Sequence, residues 1–229
     1  MNNEIAFFLI MAISLVAVLF AGTQNKNWLF AMVVLLSVIS SITAGKLITF
    51  FGFATSIATP IYAGIFLATD AISEIYGKKQ ARNAVFLGFF SNILLIAIGQ
   101  LIVNTPSIDV SLELSNSLSV IFNFIPKLVL AGLLAFVIAQ TIDIEIFHFF
   151  KKYENSGKFI GKLGFRNNAS TIVSQLFDSI IVYAIVFWSL PNNQIIQLII
   201  TAWIIKVLVA IFDTPFLYLI KKMRKDVQH

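Results

Sequence analysis

The sequence predicts an all-α polytopic membrane protein, and three observations carry that prediction. Of 229 residues, 59% are hydrophobic and only 12% are charged, against roughly half apolar and a quarter charged in soluble domains. The apolar residues fall into repeated long runs, and about 20 such residues suffice for a helix to cross the ~30 Å hydrocarbon core. The basic residues, which give a formal charge of +5 and a pI near 9.5, stand between and after those runs. That is how membrane proteins mark their cytoplasmic side, so the charge gives no reason to expect nucleic acid as a partner. There are no cysteines, which excludes disulfides, thiolate metal sites and thiol nucleophiles together. No connection between runs is long enough to hold a soluble domain.

Seven spans follow in order: Ile5–Gly22, Trp28–Ile48, Pro60–Tyr76, Ala84–Val103, Val120–Gln140, Ser170–Leu190 and Ile195–Ile220. The first has Glu4 and no Lys or Arg before Lys26, and its core is longer than a signal-peptide h-region, so it reads as a retained helix. Thr59-Pro60 starts the third span with a capping hydroxyl and a proline at the first helical position. The stretch from Asn104 to Ser119, with Pro106, Asp109 and Glu113, reads as an aqueous loop. Pro191-Asn192-Asn193 is a tight turn between the last two spans.

Alternate loops segregate their charge. Lys78, Lys79 and Arg82 follow the third span, Lys151 to Arg166 supply five basic residues after the fifth, and Lys221, Lys222, Arg224 and Lys225 follow the seventh. The loops between the fourth and fifth spans and between the sixth and seventh have none. The expected topology is multi-pass in the bacterial inner (plasma) membrane, with an outside N-terminus and a cytoplasmic C-terminus.

A charge at helix centre costs about 2.5–3.5 kcal/mol on the insertion scale, so the ionisable residues in or beside the spans point to function. They are Asp70, Glu74, Asp143, Asp178, Lys206 and Asp213. Asp70, Asp143 and Asp213 each lie eight residues before a Lys-Lys pair, about 12 Å along a helix. The three acids therefore share a depth below the cytoplasmic headgroups. Asp70 and Glu74 are i,i+4, although Glu74 can also snorkel towards Lys78. Gln140 and Asp143 are i,i+3, as are Gln175 and Asp178. Asp178 is placed to meet and neutralise Lys206. Pro215 should weaken the last helix beside Asp213 and leave carbonyls free, as in transporters that line a site with broken helices. Three acids, Asp70, Asp143 and Asp178, cannot all be paired with one lysine. His148 sits at the membrane edge and reads as interfacial. Metal, Walker A and Gly-x-Ser-x-Gly motifs are missing, so the sequence offers no metal site, no cofactor site and no enzymatic machinery.

These residues also carry a resemblance. Ala68-Thr69-Asp70, Gln140-x-x-Asp143, Ala169-Ser170-Thr171 with Gln175 and Asp178, and Lys206 with Pro215 resemble, in order and spacing over residues 30 to 220, the YhhQ-like queuosine-precursor transporters of the vitamin-uptake transporter group. Asp213 matches only in part. The resemblance implies a compact bundle of six core transmembrane helices over 28–220, similar to the vitamin-binding subunits of energy-coupling-factor (ECF) importers. Residues 1–27 would be an extra N-terminal span and 221–229 a basic cytoplasmic tail, all in one transmembrane domain. It further implies import of 7-cyano- or 7-aminomethyl-7-deazaguanine, with Asp70, Gln140, Asp143, Ser170, Gln175, Asp178, Lys206 and Asp213 at the substrate. The acids are compatible with proton coupling, and a bundle this small with a homodimer among lipids. The competing expectation is a binding subunit that depends on a separate energising module and takes another vitamin-like molecule.

Overall fold

The computed structural model describes residues 2–151 and 163–227, with the side chains of several of them, including Gln140, Asp143, Ser170 and Asp213, outside the described set. Among the described residues the chain forms seven α-helices: α1 Asn3–Gln24, α2 Lys26–Thr43, α3 Thr59–Tyr76, α4 Lys78–Asn104, α5 Leu112–Lys151, α6 Leu163–Val186 and α7 Asn192–Val227. A two-stranded hairpin, β1 Leu47–Phe50 and β2 Phe53–Ser56, stands between α2 and α3. Helices α1 and α2 and the stretches Lys79–Asn104 and Asp109–Phe136 are long and apolar enough to cross a membrane, and Ile172–Val186 and Asn192–Leu208 are shorter apolar stretches. Large side chains such as Ile13, Phe20, Phe86, Phe90, Ile98 and Leu101 are exposed. On a soluble protein they would make a large apolar patch; in a multi-pass membrane protein they meet lipid tails.

The chain divides into two compact units, Met1–Val129 with Leu208–His229, and Leu130–Val207. In the first, α3 packs against α1, α2 and α4. Its Leu67, Ala68, Ala71 and Ile72 are buried with Val18, Ala21, Leu29, Val33 and Leu36 of α1 and α2. Glycines let the backbones close in, as membrane helix contacts require. A Cβ at Gly64 would lie 2.8 Å from Leu36 and 3.0 Å from Ser14, and one at Gly99 would lie 2.3 Å from the Phe122 ring. Although it carries Asp70 and Glu74, α3 packs against α1, α2 and α4 through its small and apolar residues.

Proline shapes α5. Pro126 inside the helix has no N–H for the Phe122 carbonyl four residues back. The Gln100 amide of α4 donates to that carbonyl at 3.0 Å, so the orphaned acceptor is satisfied by a neighbouring helix.

Several expected boundaries shift. The second span ends at Thr43, five residues before the expected Ile48, and the chain turns into β1. Phe51 and Gly52 link the strands with φ of 48° and 84°, the paired positive values of a type I′ turn. Phe51 carries a side chain in this conformation, a strain of roughly 1–2 kcal/mol, and its N–H donates to Glu4 at 3.1 Å. Asn3 adds a bond to the Thr49 carbonyl at 3.0 Å, and Phe7 packs on Phe50 with centroids 4.2 Å apart. The start of α1 is thereby fastened to the hairpin.

Thr59 does not cap α3. Its hydroxyl pairs with Thr55 at 3.3 Å, and Ser56 Oγ accepts from the Ala58 N–H at 3.2 Å while donating to the Ala44 carbonyl at 2.8 Å. Gly77, at φ 88°, is the whole connection from α3 to α4, so Lys78, Lys79 and Arg82 stand in the first turns of α4 and not in a loop. The expected loop from Asn104 shrinks because α5 begins at Leu112. Helix α7 runs on through Pro215 to Val227; the proline removes one bond, to the Ile211 carbonyl, without ending the helix.

Candidate functional site

Asp70 lies in the last half of α3, among small residues that bring the helix against its neighbours. Ala68, Ala71 and Ile72 beside it are fully buried, yet Asp70 is exposed and so is Glu74 one turn on. No described residue hydrogen-bonds or ion-pairs with the Asp70 carboxylate. A carboxylate left without a partner inside a membrane is expensive. Such a group therefore calls for water, a ligand or a proton.

The second unit shows a different arrangement. Lys206 on α7 is paired with Asp178 Oδ2 on α6, the pair expected from the sequence. Their side chains are 13% and 23% exposed. Lys206 Nζ also donates to Ser179 Oγ at 3.1 Å, and the buried Ser179 hydroxyl donates to the Gln175 carbonyl one turn back at 2.9 Å. Trp203, one turn before Lys206, donates its indole N–H to the Ile172 carbonyl at 2.9 Å. Two helices are thus joined by an ion pair and two further hydrogen bonds at defined heights. The pair neutralises both charges in a partly desolvated setting, where each alone would be costly.

Of the residues expected at the substrate, the structure brings Asp178 and Lys206 into contact, gives Gln175 only a backbone carbonyl bond to Ser179 one turn on along α6, and places Asp70 on α3 in the other unit. The side chains of Gln140, Asp143, Ser170 and Asp213 lie outside the described residues; their backbones stand on α5, α6 and α7. Ser179 and Trp203 were not anticipated. Both could have been found by helical spacing, since Ser179 is i+4 from Gln175 and Trp203 is i−3 from Lys206. Lys127 was also passed over. It follows Pro126 in the apolar run of α5 and is half-buried, so Lys206 is not the only cation within the spans. Among the described residues no group of three or more His, Cys, Asp or Glu is placed to hold a metal ion.

Repeated apolar helices mark a multi-pass membrane protein, and an acid with no partner among the described residues together with a part-buried ion pair between two other helices is the kind of polar equipment that transporters carry. The comparisons give the particular family. The profile of the family described as "Putative vitamin uptake transporter" matches residues 56–220, and the chain belongs to that family. It is 32% identical over 225 residues, 97% of this chain and 96% of the relative, to the "Probable queuosine precursor transporter" of Bacillus subtilis (strain 168). The resemblance noted in the sequence therefore holds along nearly the whole chain, α1 included. No solved structure matches the protein.

Proposed function

We propose that this protein imports queuosine precursors, 7-cyano-7-deazaguanine or its 7-aminomethyl counterpart, across the inner membrane. The observation that carries the reading is the near-full-length similarity to a probable queuosine precursor transporter. The chemistry of the site supports it. A guanine-like base offers a ring N–H and an amino group as donors, for which a carboxylate in a desolvated site is a strong acceptor, and its carbonyl accepts from an amide or ammonium.

In this reading the substrate contacts are drawn from Asp70, Gln140, Asp143, Ser170, Gln175, Asp178, Lys206 and Asp213. All seven helices cross the membrane, and the C-terminus is cytoplasmic because the Lys- and Arg-rich segments then share that side. Asp70, exposed and without a described partner, is the group best suited to carry a proton with the substrate.

The test is queuosine content of tRNA in a bacterial strain that cannot make 7-deazaguanines, lacks its own importer and has no energy-coupling-factor module. The strain is fed a low concentration of 7-cyano-7-deazaguanine. Queuosine restored only when this gene is present is the expected result. Restoration that requires an added energising module would make the protein a binding subunit. None at all, with the protein present in the membrane, would remove the substrate assignment.

A further inference from the structure

We propose that Asp178 and Lys206 form an ordered donor–acceptor–acceptor set that reads one edge of the base, with Ser179 as the positioning residue that fixes the order. The inference rests on the deazaguanine reading above and specifies how that substrate is told from other purine-like bases.

The argument starts from hydrogen-bond capacity. A lysine ammonium has three N–H donors and each carboxylate oxygen has two acceptor sites. Lys206 uses one donor on Asp178 Oδ2 and one on Ser179 Oγ at 3.1 Å. Its third donor and the Asp178 Oδ1 atom have no partner among the described residues, and Oδ2 keeps its second acceptor site. The open positions therefore run in the order Lys206 N–H, Asp178 Oδ2, Asp178 Oδ1. A 2-amino-4-oxopyrimidine edge, as in a deazaguanine, runs carbonyl, ring N–H, amino group, which is the complement at all three places. An adenine-type edge opposes its amino donor to the lysine donor and has no amino group for Oδ1.

The contacts of the ammonium support the order. Ser179 is buried and its own hydroxyl proton is committed to the Gln175 carbonyl at 2.9 Å, so its lone pairs face the lysine. Trp203, one turn away on α7, ties that helix to the Ile172 carbonyl of α6. The ammonium is held at the Oδ2 side by two contacts and has little freedom to cover Oδ1. Asp178 is also the more exposed member of the pair, so the acceptors are the accessible part.

The experiment measures binding of labelled 7-cyano-7-deazaguanine to the purified full-length protein in detergent, with three unlabelled competitors. 7-Deazaguanine should compete well. 7-Deazahypoxanthine, which lacks the amino group, should be about 10-fold weaker for one lost bond to a charged acceptor. 7-Deazaadenine should be at least about 100-fold weaker, since two groups are left unpaired and two donors face each other. Equal competition by all three would overturn the ordered set while leaving the substrate reading intact. No binding of the labelled base to wild-type protein would overturn both.

The Ser179→Ala variant separates positioning from folding. With the lysine freed, the ratio between the guanine-type and adenine-type competitors should shrink by several-fold. An unchanged ratio, whatever the overall affinity, would show Ser179 to be structural and overturn its part. If that variant does not fold, the wild-type competitor series still decides the recognition.

Discussion

The two acids that differ most in their surroundings are Asp70 of α3 and Asp178 of α6. Asp70 sits in a unit held together by small residues, where Gly64, Ala68 and Ala71 let helices touch and the carboxylate has no described partner. Asp178 sits where polar groups join the helices, and its charge is offset by Lys206. The contrast teaches that an acid within a membrane bundle can be separable from the fold or part of it. Asp70 has no described bond that an amide would break, whereas Asp178 and Lys206 depend on each other.

The contrast can be broken most sharply by charge removal. Asp178→Asn leaves the part-buried Lys206 with no counter-ion, so uptake should fall by at least about 100-fold and stability by less than the roughly 3–5 kcal/mol of a fully buried pair, the latter seen as a lower thermal midpoint in detergent. Asp178→Asn/Lys206→Gln should recover most of the stability and none of the uptake. For Asp70→Asn the expected outcome is the reverse pairing: uptake lost to a similar degree, with the melting transition of the wild type. A marked loss of stability in Asp70→Asn would erase the distinction.

Packing in the first unit supplies the next largest effect. Gly64→Leu drives a side chain into Leu36 and Ser14 and should cost about 1–3 kcal/mol or more, read as reduced folded yield on size-exclusion chromatography. Gln100→Leu removes the donor that serves the Phe122 carbonyl beside Pro126 and should cost about 1–3 kcal/mol; an unchanged midpoint would mean that another group takes over. The smallest effect is expected from Glu4→Ala, which frees the Phe51 N–H at about 0.5–1.5 kcal/mol. Faster hydrogen exchange at Phe51 with little change elsewhere would show that the bond is local.

Legibility in the sequence followed the physics of each feature. Long apolar runs and segregated basic residues are one-dimensional signals, so the helices and their order could be read directly. The Asp178–Lys206 pair was also foreseeable, because depth along two neighbouring helices is set by counting residues from their ends. The hairpin was missed because Leu47 to Ser56 continues the hydrophobic run of α2, and only Phe51-Gly52 hints at a turn. The Thr59 cap was misassigned because Ser56 competes for the same end of α3, a choice that depends on where the hairpin returns. Ser179 and Lys127 were overlooked for different reasons: a serine in a helix is cheap and common, and Lys127 hides behind Pro126 within an apolar run. The role of Gln100 could not be read from spacing at all, since it serves a carbonyl 22 residues away on another helix.

Saturable uptake of labelled 7-cyano-7-deazaguanine into proteoliposomes containing only this purified protein tests the central claim most directly, with Asp178→Asn/Lys206→Gln reconstituted alongside. Accumulation by the wild type and none by the folded double variant is the predicted result. No accumulation by the wild type, or equal accumulation by the double variant, would contradict the account.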